Sequence, residues 1–163
     1  MGSFYDLLFT TNAGYPFSFS ALRGKKVLVV NTASACGYTA QYASLEALFA
    51  RFSREELEII AFPSDDFGGQ EPGSDPEIAA FCEAHFGIHF PLMTKSHVTG
   101  PEANAVFRWL AASATTAGLD PAVTWNFQKF AIGPSGQIEQ IFGPGTDPLD
   151  PAVEAWLTRR DLA

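Results

Sequence analysis

Two cysteines, Cys36 and Cys82, are the strongest nucleophiles in the 163-residue chain, and they stand in different company. Cys36 belongs to Cys36-Gly37-Tyr38-Thr39, after the apolar run Val27–Val30 and the small, polar stretch Asn31-Thr32-Ala33-Ser34-Ala35. That order reads as buried strand, short turn and helix, with Cys36 at or just before the first helical turn. Unpaired backbone N–H groups and the positive end of the helix dipole favour a thiolate there. A thiol of pKa about 8.5 is only a few per cent ionised at neutral pH, and lowering it by about two units takes ~2.7 kcal/mol of differential stabilisation. Thr39 places a hydroxyl donor where a dithiol oxidoreductase carries its second cysteine. Two readings of Cys36 stand on this pattern alone, a reactive thiol and a small core residue. Cys82 shares a helical face with Ile78, Phe81 and His85, and by periodicity alone it is core.

Other spacings carry less. His85 and His89 are four apart, but Gly87 breaks the helix that would align their rings, so no metal site is expected. Gly143-Pro144-Gly145 lacks the following helix and further glycine of a dinucleotide loop. No nucleophile-elbow serine and no phosphate-binding loop is present.

The elements that must position Cys36 follow from the apolar periodicity. Alternation through Phe17-Ser18-Phe19-Ser20, after Asn12-Ala13-Gly14, predicts an N-terminal hairpin. Val27–Val30 is a buried strand, and Leu45, Leu48, Phe49 and Phe52 mark a helix face. Leu57–Phe62 is a second strand, ended by Pro63, and Ser64–Gly73 is too rich in Gly, Pro and Asp for regular structure. Ser74 or Asp75 caps the next helix, with Pro76 at its first position. Phe90–Met93 reads as a short, proline-interrupted strand. Ala103, Val106, Phe107 and Leu110 form a third helix face, followed by a connector over 111–121. Trp125–Ile132 and Gln137–Phe142 form a predicted hairpin across Gly133-Pro134-Ser135-Gly136, and 152–160 closes the chain as a helix. A β-α-β start and a β-β-α finish predict an α/β protein of thioredoxin-like fold: a central mixed sheet flanked by helices, with an N-terminal β-hairpin. No repeat or composition break divides the chain, so residues 1–163 are expected to be one domain.

Apolar residues at 47% and charged residues at 17% fit a globular protein, and the net charge of −8 disfavours nucleic acid and anionic membranes. No run is long enough to span a bilayer. Neither a signal peptide nor, with Asp6 at position 6, an acylation motif is read at the N-terminus. Two cysteines are too few for a disulfide framework, and the expected location is cytoplasmic.

Three stretches together carry a family likeness. Asn31-Thr32-Ala33-Ser34-Ala35-Cys36-Gly37, then Phe62-Pro63 with Phe67-Gly68-Gly69-Gln70-Glu71-Pro72-Gly73, then Trp125-Asn126-Phe127 resemble the three signatures of the glutathione peroxidase family. They match in order and approximate spacing, and the similarity runs from about Phe4 to Leu157. The resemblance implies Cys36 as the peroxidatic residue, with Gln70, Trp125 and Asn126 completing a catalytic tetrad. Amide and indole N–H groups suit that role, being neutral donors able to stabilise a thiolate and then the charge developing on oxygen. Phe81-Cys82 resembles the resolving-cysteine position of the thiol-dependent, non-selenium branch, which implies thioredoxin, rather than glutathione, as the usual reductant and no bound cofactor. The implied cycle reduces hydrogen peroxide and organic or lipid hydroperoxides through a Cys36 sulfenic acid, a Cys36–Cys82 disulfide and thiol exchange. Local opening of the Cys82 helix is expected to accompany the second step.

The chain departs from the family pattern at Ser64-Asp65-Asp66, where relatives commonly carry Cys-Asn-Gln. Two carboxylates beside the site would oppose a thiolate unless they point to solvent. The short connector before Trp125 lacks the insertion that tetrameric relatives use, which implies a monomer. The sequence leaves two other functions open: a peroxide sensor that passes its disulfide to a partner protein, and a silent thioredoxin-like binding module.

Overall fold

The computed structural model describes residues 2–159; Met1 and the expected end of the closing helix at Arg160 lie outside them. The N-terminal hairpin pairs β1 (Leu8–Thr10) with β2 (Pro16–Ser18), antiparallel. The main sheet contains β3 (Lys26–Thr32), β4 (Leu57–Pro63), β5 (Lys129–Ile132) and β6 (Ile138–Phe142), in the order β4-β3-β5-β6. β3 runs parallel to β4 and antiparallel to β5, which in turn is antiparallel to β6. The helices are α1 (Gln41–Arg51), α2 (Asp75–Phe86), α3 (Ala105–Thr116) and α4 (Pro151–Thr158).

The period-two alternation of a strand divides β3 between two cores. Leu28 and Val30 face α1, α2 and α4 through Tyr42, Leu45, Ile78, Val153 and Trp156. Val27 and Val29 face α3 and the N-terminal segment through Val106, Phe107, Leu110, Phe4 and Phe19. Every residue of β3 is buried, because both faces of this strand are covered. The expected mixed sheet with flanking helices is therefore present.

Four boundaries differ from the sequence reading. The connector expected from residue 111 is helical to Thr116, as its run of good helix formers allows. Phe90–Met93 forms only isolated bridges, Leu92 to Ala61 and Met93 to Thr11. Trp125–Gln128 is a turn rather than the start of β5. Finally, α1 begins at Gln41, five residues beyond Cys36, and its N-cap Ala40 contributes no side-chain bond. The residues between form successive tight turns, with Thr39 N–H on the Cys36 carbonyl, Gln41 on Tyr38 and Tyr42 on Thr39. Cys36 thus precedes the first helical turn and stands away from the helix terminus itself.

Candidate active site

Cys36 lies on the loop that leaves the C-terminal end of β3. A bond from its own N–H to Thr39 Oγ1 (2.9 Å) closes the turn, and the same hydroxyl donates to the Ala33 carbonyl at 2.9 Å. Thr39 therefore shapes the turn and does not donate to the sulfur. The donor on sulfur is the Tyr38 backbone N–H, 3.3 Å from Sγ. The thiol is partly exposed and rests on the core beneath α1 and α2.

Gln70 approaches from the loop after β4. Its carbonyl accepts the Ala35 N–H at 3.0 Å, which ties the two loops together next to Cys36. Gly68 and Gly69 have φ of 68° and 61°, so the left-handed turn before Gln70 suits glycine. A side chain at Gly68 would also press on Trp125, 3.1 Å from its ring. Gln70 Oε1 accepts a hydrogen bond from Asn126 Nδ2 at 3.0 Å. The structure therefore gathers the loops of Cys36 and Gln70 and the turn of Trp125 and Asn126 at one end of the sheet.

Asn31, at the end of β3, organises that turn. Its Nδ2 donates to the Trp125 carbonyl at 3.0 Å, its Oδ1 accepts Gln128 N–H at 3.1 Å, and its carbonyl accepts Phe127 N–H at 2.6 Å. Phe127 has φ 66°, the one positive value at a non-glycine among the described residues. This is an unfavourable conformation for a bulky residue, held here by complete burial and an edge contact with Tyr42. The kink ends the strand and turns Trp125 and Asn126 toward Gln70. Asn126 is fully buried, and its Oδ1 has no partner. Neither the Gln70 amide nitrogen nor the Trp125 indole N–H has a protein acceptor among the described residues.

The departure at Asp65-Asp66 has a structural use that was not anticipated. Asp65 Oδ1 accepts the Glu71 N–H at 2.8 Å, bracing the loop directly after Gln70. Asp66 accepts His97 Nδ1 and the Val98 N–H, both at 2.7 Å, and the Thr99 N–H at 3.2 Å. Burial pushes the Asp66 carboxyl up, but those bonds outweigh it and hold the group below its ordinary range. Both carboxylates serve as loop anchors.

Cys82 lies in α2, buried against the core shared by α1 and the sheet. Ser74 caps the helix in a reciprocal box with Glu77, and Gly87, at φ 55°, ends it with an N–H on the Cys82 carbonyl. Burial pushes the Cys82 thiol up to about 11, with the Tyr42 hydroxyl opposing and the Glu71 carboxylate adding to the rise. Tyr42 points its hydroxyl toward Thr32 and Cys82, yet no contact reaches hydrogen-bond geometry and the group is left unpartnered. Both cysteines are free thiols. A cavity of about 190 Å³, lined by Ser34, Ala35, Glu71, Ile78 and Phe81, separates the Cys36 loop from α2.

Two groups were missed by the sequence reading. Glu71 is almost wholly buried, accepts Ser34 Oγ at 2.9 Å, and has its carboxyl raised by burial. Lys129 is fully buried at the start of β5. Glu71 followed Gln70 in the motif already quoted, whereas a lysine in an apolar strand gave no signal of a role. His85 bonds back to Phe81 and His89 to Glu46, so the two rings serve different partners.

The thioredoxin-like sheet carries a partly exposed cysteine on a loop tied by Ala35 to Gln70, which in turn holds Asn126, an arrangement suited to thiol chemistry. The sequence model of the glutathione peroxidase family matches residues 4–111. The glutathione peroxidase-like peroxiredoxin gpx1 of Schizosaccharomyces pombe is 43% identical over 148 residues, covering 91% of this chain and 93% of that protein. The crystal structure of Trgpx in apo form superposes with a TM-score of 0.75 at 29% identity, over 97% of each chain. A thioredoxin family protein from Chlorobium tepidum, at TM-score 0.62 and 21% identity over 93% of this chain and 92% of the other, shares the fold. The chain belongs to the glutathione peroxidase family, and it is a peroxidase. No helix among the described residues is long and apolar enough to cross a membrane.

Proposed function

We propose that the protein reduces hydrogen peroxide and organic or lipid hydroperoxides by a two-cysteine cycle, with thioredoxin as its reductant, as a cytoplasmic monomer. The observation that carries the reading is the junction of Ala35 on the Gln70 carbonyl and Asn126 on the Gln70 side chain, each at 3.0 Å. It ties the loop of the amide pair to the Cys36 loop.

In the first step the Cys36 thiolate attacks one peroxide oxygen and the O–O bond breaks. The sulfur becomes a sulfenic acid, and the leaving oxygen takes a proton to depart as water or alcohol. Gln70 and Trp125 use their unsatisfied N–H groups on the developing negative oxygen, and Asn126 fixes Gln70 for that task. In the second step Cys82 sulfur attacks Cys36 sulfur, a disulfide forms and water leaves carrying the Cys82 proton. A dithiol protein then reduces the disulfide by exchange. Burial of Cys82 in α2 supports the view that local opening of this helix precedes the second step.

Stopped-flow peroxide consumption in a single turnover tests the assignment. Cys36→Ser is expected to abolish it, a loss on the order of 10³-fold or more, as expected when the nucleophile itself is removed. First-turnover consumption that persists in Cys36→Ser would overturn the reading. Steady-state turnover with thioredoxin and its reductase, set against a glutathione system, identifies the donor.

A further inference from the structure

The most deeply buried charged side chain among the described residues belongs to no step of this cycle. Lys129 opens β5, is fully buried, and sits in register with Val30 on one side and Phe142 on the other. Its ammonium donates to the carbonyls of Gly143 and Pro144, each at 3.2 Å, and to that of Thr146. No carboxylate among the described residues pairs with it directly; Asp147 acts on it from the same loop. Burying an ammonium on carbonyls alone is a costly way to fill an apolar strand, where methionine would fit the same space. Burial lowers this amine to about 7, with Asp147 opposing, so the site strains to keep its charge.

The loop that Lys129 gathers also meets the first turns of α1 and the phenol of Tyr38, two residues from Cys36. Pro144 O takes a second bond, at 2.8 Å, from Gln41 Nε2 at the first residue of α1. Asp147 Oδ2 accepts Ser44 Oγ of the same helix at 3.0 Å. Between them, Gly145 lies under Tyr38, whose hydroxyl is 3.3 Å from where a Cβ on Gly145 would stand. Tyr38 is the residue whose backbone N–H rests on Cys36 Sγ. We propose that Lys129 is a positioning residue of the peroxide reaction: by collecting the Gly143, Pro144 and Thr146 carbonyls, it holds the loop that sets Tyr38 N–H against the Cys36 sulfur. The inference rests on Cys36 being the peroxide-reactive thiol.

Two variants test it, one at each end of the chain of contacts. Lys129→Met removes the charge and keeps the bulk, and Gly145→Val, on the exposed side of the loop, crowds the Tyr38 phenol while leaving Lys129 in place. The readout is the pH profile of Cys36 alkylation by iodoacetamide in a Cys82→Ser background, beside the first-turnover rate with hydrogen peroxide. The expected result is an alkylation midpoint shifted to higher pH in both variants, with oxidation at neutral pH slowed roughly tenfold, as for loss of about one charge-assisted donor. Lys129→Arg is expected to recover part of the shift. An unmoved alkylation midpoint in folded Lys129→Met overturns the proposal, and so does a slower oxidation without that shift, which marks loosened packing. If Lys129→Met does not fold, Gly145→Val decides: an unmoved midpoint there breaks the link between loop and sulfur. Because alkylation needs no peroxide, these failures are distinct from failure of the Cys36 assignment, which the Cys36→Ser turnover reads.

Discussion

Cys36 stands in an irregular turn beyond the end of β3, with part of its surface open and a backbone N–H on its sulfur, whereas Cys82 faces the core from a capped helix with 1% of its surface exposed. The surroundings of the second favour the neutral thiol, pushed up to about 11. A peroxide-reactive thiol must meet solute at once, and a resolving thiol must not compete for peroxide. Under the proposed cycle, burial in a helix closed by the Ser74–Glu77 box and the Gly87 cap would keep Cys82 inert until that helix loosens. The contrast is one of timing, written in local stability and protonation rather than in residue type.

The largest effect that can break the comparison is removal of the second thiol. Cys82→Ser is expected to leave first-turnover oxidation of Cys36 within about twofold while steady-state turnover on a dithiol donor falls at least about a hundredfold, because no protein disulfide forms for exchange. Trapping of the Cys36 sulfenic acid by dimedone, followed by mass spectrometry, checks the same point. Turnover equal to the parent's would reduce Cys82 to a core residue.

A smaller effect concerns protonation. With its folded pKa raised from 9.0 to about 11, Cys82 holds its proton more tightly folded than unfolded. Its contribution to stability is then complete below pH 9 and is lost as pH rises toward 11. Tyr42, raised chiefly by burial and in part by Cys82 itself, is taken out of the comparison by carrying Tyr42→Phe in both proteins. Denaturant melts at pH 8 to 11 should show the parent losing stability relative to Cys82→Ser by about 1 kcal/mol per pH unit above 9, with no relative slope below it. A flat difference across the range would mean that the thiol is already open to water.

Much of this contrast was legible in the sequence, and what was not has physical reasons. Periodicity placed Cys82 on a buried helix face and Val27–Val30 in a covered strand, because burial writes itself into spacing. Ser74 and Pro76 marked the start of α2 through local capping chemistry, which a chain carries in nearby residues. The start of α1 was misplaced because Gly37-Tyr38-Thr39-Ala40 contains no side-chain cap for a helix beginning at Gln41. Trp125-Asn126-Phe127 reads as strand because its aromatic residues favour strands. Only the distant Asn31 and the positive φ at Phe127 turn it into a corner. Asp65 and Asp66 read as carboxylates that would oppose the thiolate unless they point to solvent; their use as anchors for loop N–H groups depends on partners that the local sequence does not show. Gln70, Trp125 and Asn126 were found through the motif, while Lys129 was lost inside an apolar run.

The finest test loosens the lock on Cys82 without touching either sulfur. Gly87 holds φ 55° and donates its N–H to the Cys82 carbonyl at 2.9 Å, so the helix cap bears directly on the residue that the proposed cycle requires to move. A Cβ on Gly87 would meet nothing within 4 Å, which leaves backbone conformation as the whole cost of Gly87→Ala. That cost is roughly 1 kcal/mol for alanine in the left-handed region. If opening of α2 precedes attack, the open population rises about fivefold and disulfide formation after peroxide addition accelerates by the same factor. First-turnover oxidation of Cys36 should stay unchanged, since the cap is remote from the peroxidatic turn. Stopped-flow fluorescence with Trp125 as reporter separates the two phases. A slower second phase would show that the intact helix, rather than its opening, presents Cys82 to the sulfenic acid. Storage and attack would then share one conformation, and the thiol's raised pKa alone would keep it from peroxide.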